Sequence, residues 1–380
     1  MTSKERILAV LRGDIPDRVP ITLFVQEEFL NAYYGRTDCS RVTDAVKLAK
    51  ELGFDALTRD HYHIEPHFTR QSYPNWEINK RQYVENGIAH RLLTITTPKG
   101  ILTQDEVAPY DPATIGGIHF TTKTYLLSDL DRDYEIMKRY MPEPSKDYIA
   151  DMKAHADWAI SAVGEHGLCA PWGTGGAFNT ACTLRALEDL VCDPYDDEDL
   201  YADMMGFITD ILARDYALLA ESGYDLIGMQ GNMANGGMLS CDYFRQNVMP
   251  YEERIIKAVH DQGKYILYHN CGLARGLYPA YADMHMDVFE TLSPRPMGDN
   301  SLSEGKMLLG QTKVLSGNLD QVYFLKTAAP EEVAAATKEI VLAGKPNGRY
   351  LFACSDFLEK GTPKENVLAM IRAAKESGLY

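Results

Sequence analysis

The sequence predicts an α/β protein, and within that class a (β/α)8 TIM barrel. Three observations point there. Short apolar runs alternate with longer amphipathic stretches along the 380 residues, which favours parallel strands joined by helices. Eight such runs can be marked. The residues richest in chemistry, His269, Cys271 and Cys354, sit at the C-terminal ends of two of them, where barrel sites are built. A doubly wound sheet is the rival, but no Gly-rich phosphate loop follows the first run.

In order, residues 2–11 read as a helix opened by a capping box, Thr2 as cap and Glu5 three places on. RVPITLFV (18–25) reads as the first strand, 41–51 as a helix and FDALT (54–58) as the second strand. The rhythm then breaks. HRLLTITTPKGILTQDEV (90–107) holds two alternating runs around Pro98-Lys99-Gly100, which is hairpin chemistry. It implies an antiparallel hairpin insertion over about 75–125. Helices are expected over about 129–140 and 146–165. Further strands follow at 167–171, 224–229, 264–269, 287–292, 313–317 and 349–354. The helices between include 196–222, 241–262 and 331–343. The last helix opens on Thr362, Pro363 and Glu365 as cap, first-turn proline and capping-box glutamate. The expectation is one domain over 1–380, with an N-terminal helical extension and the hairpin insertion.

Composition bounds the function. Hydrophobic residues make up 45% and charged residues 24%, as in ordinary soluble globular chains. The formal net charge of -16 argues against nucleic acid or an anionic membrane as a main partner, since both want a basic face. The opening MTSKERILAVLRGD carries charges inside its apolar pattern, so it reads as an amphipathic helix and not as a secretory signal. No apolar run approaches the roughly 18 residues of a membrane span. Seven scattered cysteines suggest no disulfide framework, and a reducing cytoplasm is the expected compartment.

His269 and Cys271 lie in YILYHNCG, and Cys354 in RYLFACSD. Side chains two apart on an extended strand share a side. One imidazole and two thiolates suit zinc, and three protein ligands leave a position for a substrate atom. The spacing is not that of a finger or ribbon. The plain alternative is a strand-end histidine and two buried cysteines; their shared place at strand ends favours the metal. Glu290, near the end of the neighbouring strand, could supply a fourth ligand when substrate is absent, or bind only solvent or a nearby loop.

The chain resembles the uroporphyrinogen decarboxylase superfamily, and within it the zinc-dependent corrinoid methyltransferases. The resemblance runs over nearly the whole chain. RILAVLRGDIPDRVPI is similar to the family's first helix and strand, TPKGIL to its hairpin, GNLDQVYFL to its seventh strand and GTPKENVLAMIRAAKESG to its closing helix. The His-X-Cys-Gly string at 269–272 is the most specific match. FVQEEFL stands where true decarboxylases carry an arginine-rich string, which speaks against porphyrinogen chemistry.

The resemblance implies zinc on His269, Cys271 and Cys354, and a corrinoid (cobalamin) carried by a partner corrinoid-binding protein. It implies methyl transfer between a small molecule and that corrinoid; MQGNMANGG offers amides where thiol-acting relatives carry carboxylates, which favours a small-molecule methyl donor with an O-methyl group such as an aryl methyl ether. A thiol acceptor or a decarboxylase-like lyase are the alternatives. Tyr268, Gln230 and Asn232 at strand ends are candidate substrate contacts. His61, one of three histidines in HYHIEPHF, is a candidate proton relay that could equally be part of a solvated loop.

Overall fold

The computed structural model describes residues 1–110 and 120–380. Parallel strands build its centre. β1 (Ala56–Thr58) precedes an antiparallel sheet of β2 (Glu77–Glu85), β3 (Ile88–Thr97), β4 (Gly100–Pro109) and β5 (Thr121–Thr124). Then come β6 (Gly167–Cys169), β7 (Leu226–Gln230), β8 (Tyr265–His269), β9 (Val288–Glu290), β10 (Val314–Leu319) and β11 (Tyr350–Cys354). β1 pairs with β6, and the last five form one parallel sheet in the order β11-β10-β9-β8-β7.

Side-chain alternation explains why these strands share one interior. Leu57, Leu168, Leu226, Leu267, Val288, Val314 and Leu351, one from each parallel strand, meet in a single buried cluster. Their neighbours Ile227, Tyr268, Phe289, Leu315 and Phe352 belong to the other cluster, under the helices. Both faces are therefore apolar, as parallel strands covered by helices require.

The helix Ser3–Arg12 stoppers this interior with Ile7, Val10 and Leu11. Its capping box is formed: Thr2 Oγ1 accepts from Glu5 N at 3.1 Å, and Glu5 Oε2 accepts from Thr2 N at 2.8 Å. Arg6, buried on this helix, donates to Asp55 at 2.6 Å, just before β1.

Several expectations change in detail. The run 18–25 is not a regular strand. Pro20 has no N–H to give, and the segment is held by the isolated bridge of Ile21 to Phe352 and by Asp55 N donating to Ile21 O at 2.8 Å. A second isolated bridge, Trp172 to Gly228, joins the segment after β6 to β7. The regular ladders thus do not form an uninterrupted barrel. The stretch 241–262 divides into helices Cys241–Asn247 and Met249–His260 at Val248, where Pro250 begins a new first turn. At the last helix, Lys364–Ser377, Pro363 is the cap and Thr362 Oγ1 donates instead to Glu359 O at 2.8 Å.

The two alternating runs around Pro98-Lys99-Gly100 pair antiparallel from Ile88↔Pro109 to Thr97↔Gly100. Among the described residues no helix is long and apolar enough to cross a membrane.

Candidate metal centre

His269 ends β8 and stands directly opposite Gln230 on β7 and Glu290 on β9. Each lies a whole number of alternations beyond an interior residue of its own strand: Gln230 two beyond Leu226, His269 one beyond Leu267 and Glu290 one beyond Val288. They therefore point inward. His269 Nδ1 lies 3.1 Å from Glu290 Oε2, and the other carboxylate oxygen accepts from Arg59 Nη2 at 2.5 Å. Arg59 is 1% exposed. Its guanidinium lies 5.6 Å from the Trp172 ring and 5.7 Å from the Phe24 ring. Trp172 also meets the His269 ring edge-on at 5.2 Å.

Burial opposes ionisation of Glu290, but the Arg59 guanidinium and the His269 imidazole outweigh it and hold the carboxyl at about 2. Burial likewise opposes a charged His269. Cys271, Glu290 and Asp356 around it prevail and raise the imidazole to about 10. With Nδ1 facing Glu290, the nitrogen left for a metal is Nε2, the tautomer arrangement that an outer carboxylate normally enforces.

Ligand atoms of His269, Cys271 and Asp356 all lie within 4.8 Å of one another. A nitrogen, a sulfur and an oxygen donor at this spacing fit zinc. Asp356 follows β11 and its own carboxyl is pushed up by burial, an effect that His269 and the Phe357 amide offset.

The structure departs from the expected ligand set in two ways. Cys354 is not in this cluster. It shares the outer face of β11 with Tyr350 and Phe352, and its Sγ lies 3.9 Å from Met370 Sδ on the last helix. Burial pushes that thiol well above its usual range. The chain turns after β11, and Asp356 takes the inward place. Glu290 is likewise outside the cluster: both of its oxygens are engaged, one by His269 and one by Arg59.

Of the expected substrate contacts, Tyr268 is on the outer face of β8, fully buried against Tyr281 at 5.7 Å between rings, so it cannot face an interior ligand. Asn232 accepts at Oδ1 from Asn179 Nδ2 at 2.9 Å. Gln230 lines a large cavity under the antiparallel sheet. His61 turns to Arg41, with Nε2 2.7 Å from Nη1, and burial pulls its imidazole down to about 4. It reaches neither the cluster nor the cavity. Asp356 and Arg59 were not singled out from sequence. Strand parity gives no signal for a residue beyond a strand end, whereas Arg59, an arginine directly after an apolar run, is a signal that can be read.

The uroporphyrinogen decarboxylase (URO-D) family model matches residues 171–377, over half of the chain. The chain belongs to the uroporphyrinogen decarboxylase family. Among curated URO-D relatives, the methylcobamide:CoM methyltransferase MtbA of Methanosarcina mazei is 25% identical over 179 residues, 47% of this chain and 50% of that one. A uroporphyrinogen decarboxylase of Dichelobacter nodosus is 29% identical over 145 residues, 37% of this chain and 38% of that one. The chain thus spans about half or less of the length of these relatives. A solved methyltransferase from Methanosarcina mazei has the same fold over 99% of both chains, with a TM-score of 0.67 and 20% identity.

Proposed function

We propose that this member of the URO-D family is a zinc-dependent methyltransferase, passing the methyl group of a small molecule to the reduced corrinoid of a partner protein. The observation that carries the reading is the His269–Cys271–Asp356 cluster at the inward ends of β8 and β11. The names of relatives such as MtbA support it. An O-methyl donor is the preferred substrate, because an alkoxide or phenolate is a poor leaving group without help. Lewis-acid stabilisation of that group's developing charge is what zinc supplies when bound.

The chain's own residues prepare the site. His269, Cys271 and Asp356 would hold the ion. Glu290 orients the imidazole through Nδ1, and Arg59 fixes Glu290 in turn. Trp172 covers one edge of the imidazole and keeps water from it.

We read residues 1–380 as one (β/α)8 barrel domain. The shared interior cluster and the bridges at Ile21–Phe352 and Trp172–Gly228 support closure. Seven free cysteines suit a cytoplasmic protein.

The test incubates zinc-loaded protein with Co(I) cobalamin and a panel of methyl ethers, methylamines and methylated thiols, following the cobalt spectrum. Methylation of cobalt by an ether supports the reading. A second reading, with a thiol as acceptor, is favoured by a relative named methylated-thiol–coenzyme M methyltransferase, 24% identical over 169 residues. It predicts methyl flow from methylcobalamin to a thiol in the same assay. Decarboxylation of a porphyrinogen without methyl transfer in either direction would overturn both.

A further inference from the structure

Asn270 stands between the cluster residues His269 and Cys271 and is 0% exposed. The alternation that turns its two neighbours inward turns Asn270 outward. It enters the layer under the helices, where Tyr268, Tyr281 and Phe289 pack. An apolar side chain would suit that layer. A buried amide costs stability there unless its donor and acceptor are both met.

Both are met. Asn270 Oδ1 accepts from Gly272 N at 3.1 Å, the two-residue reach of an Asx turn. A backbone N–H can only donate, so this bond fixes which way the amide faces. Nδ2 is left to donate to Tyr281 Oη, at 2.6 Å. The backbone N of Asn270 donates to Glu290 O at 2.6 Å, carrying the β8–β9 ladder one step past His269. Cys271 is thereby pinned on both sides. The backbone before it is tied to β9, and the backbone after it to the Asn270 side chain.

A second amide completes the clamp. Asn300, 5% exposed, has Nδ2 3.5 Å from Gly272 O and 3.2 Å from Ser293 O. Its Oδ1 accepts from Tyr278 Oη at 2.9 Å. Tyr278 and Tyr281 are three apart on the helix Tyr278–Asp283 and so share a face. Each tyrosine fixes one amide, and the two amides reach the N–H and the C=O of Gly272. The Tyr281 ring is itself wedged between Phe244 and Phe289, at 5.5 and 5.2 Å between centroids.

We propose that Asn270 is a positioning residue for Cys271, with Tyr281 as its anchor. Cys271 lies beyond the end of β8, where the ladder alone does not fix its direction, and a metal ligand must be held to about 0.5 Å. The Asx turn and its tyrosine supply that constraint and keep the sulfur beside His269 and Asp356. The inference rests on reading the cluster as a zinc site, and not on methyl transfer.

The test measures zinc affinity by chelator competition in the full chain, and the thiolate-to-cobalt charge-transfer band after Co(II) substitution. Asn270→Leu removes both amide bonds at similar size and should weaken zinc binding about 10–100-fold, with a weaker or shifted cobalt band. Asn270→Ser keeps an oxygen that can accept from Gly272 N and should recover part of that loss. Tyr281→Phe removes only the anchor and should cost about ten-fold. Tyr350→Phe is the control: it deletes another buried hydroxyl, bonded to Gly317 O at 2.6 Å at the far end of β11. It should lower the melting temperature and leave both metal readouts unchanged. Unaltered affinity and cobalt band in Asn270→Leu and Tyr281→Phe overturn the inference and leave the zinc site standing. Equal affinity losses in Tyr281→Phe and Tyr350→Phe overturn it too, since the effect would then be one of stability alone. Failure of the unsubstituted protein to bind zinc overturns the inference and the zinc site together.

Discussion

Two positions separate Cys354 from Asp356, yet one faces the helices and the other faces His269. This division can be tested directly. Asp356→Ala should lower zinc affinity by more than the roughly 10–100-fold typical of an outer-shell change. Cys354→Ala should leave zinc content unchanged and cost about 1 kcal/mol, the scale of one deleted buried heavy atom. Elemental analysis and chelator competition decide; zinc loss in the Cys354 variant and retention in the Asp356 variant would restore the two-thiolate site. Glu290 has two separable roles. Glu290→Gln leaves Arg59 buried without its counter-charge, a loss of about 3–5 kcal/mol, and should also weaken zinc binding about 10–100-fold. The double variant Arg59→Met/Glu290→Gln should recover stability in denaturant titrations without recovering zinc affinity. Recovery of both would show that Glu290 acts only by balancing a charge.

At the scale of elements, the helix Met249–His260 is tied to the start of β9 by His260, whose Nε2 lies 2.9 Å from Asp287 Oδ2. The hydrogen bond to Asp287 raises the imidazole pKa against the pull of burial. A raised histidine stabilises the fold fully below its unfolded value of about 6.5, and that contribution fades as pH climbs through the raised folded value. His260→Gln should therefore lower the melting temperature at pH 6 more than at pH 9. An equal loss at both pH values would rule the charge out. Most elements were legible because period and punctuation agree: the opening helix carries its capping box, and β7 to β11 fall within the apolar runs. The face of each strand was not legible. In YILYH and RYLFAC both faces are apolar, so nothing local says whether Tyr268 or Cys354 points in or out. That is why sequence alone does not give the direction of these two side chains, while His269 and Cys271 fall together in the cluster. The run 18–25 looked like a strand by composition, but Pro20 limits what it can donate.

For the whole molecule, the apolar interior is complete without the cluster residues. Leu57 to Leu351 pack against one another and against the opening helix, while His269, Cys271 and Asp356 sit beyond them at strand ends. Chelation of zinc should then leave the far-ultraviolet circular dichroism spectrum intact and reduce the melting temperature only by the loss of a bound ligand. Collapse of the spectrum would make the metal structural. The antiparallel sheet lies outside this inner cluster and joins the other apolar core through Ile95 and Leu102.

The stopper formed by Ile7, Val10 and Leu11 has a consequence for traffic. A visitor to the cluster cannot pass this helix, so its approach is from the strand ends where His269 and Glu290 sit.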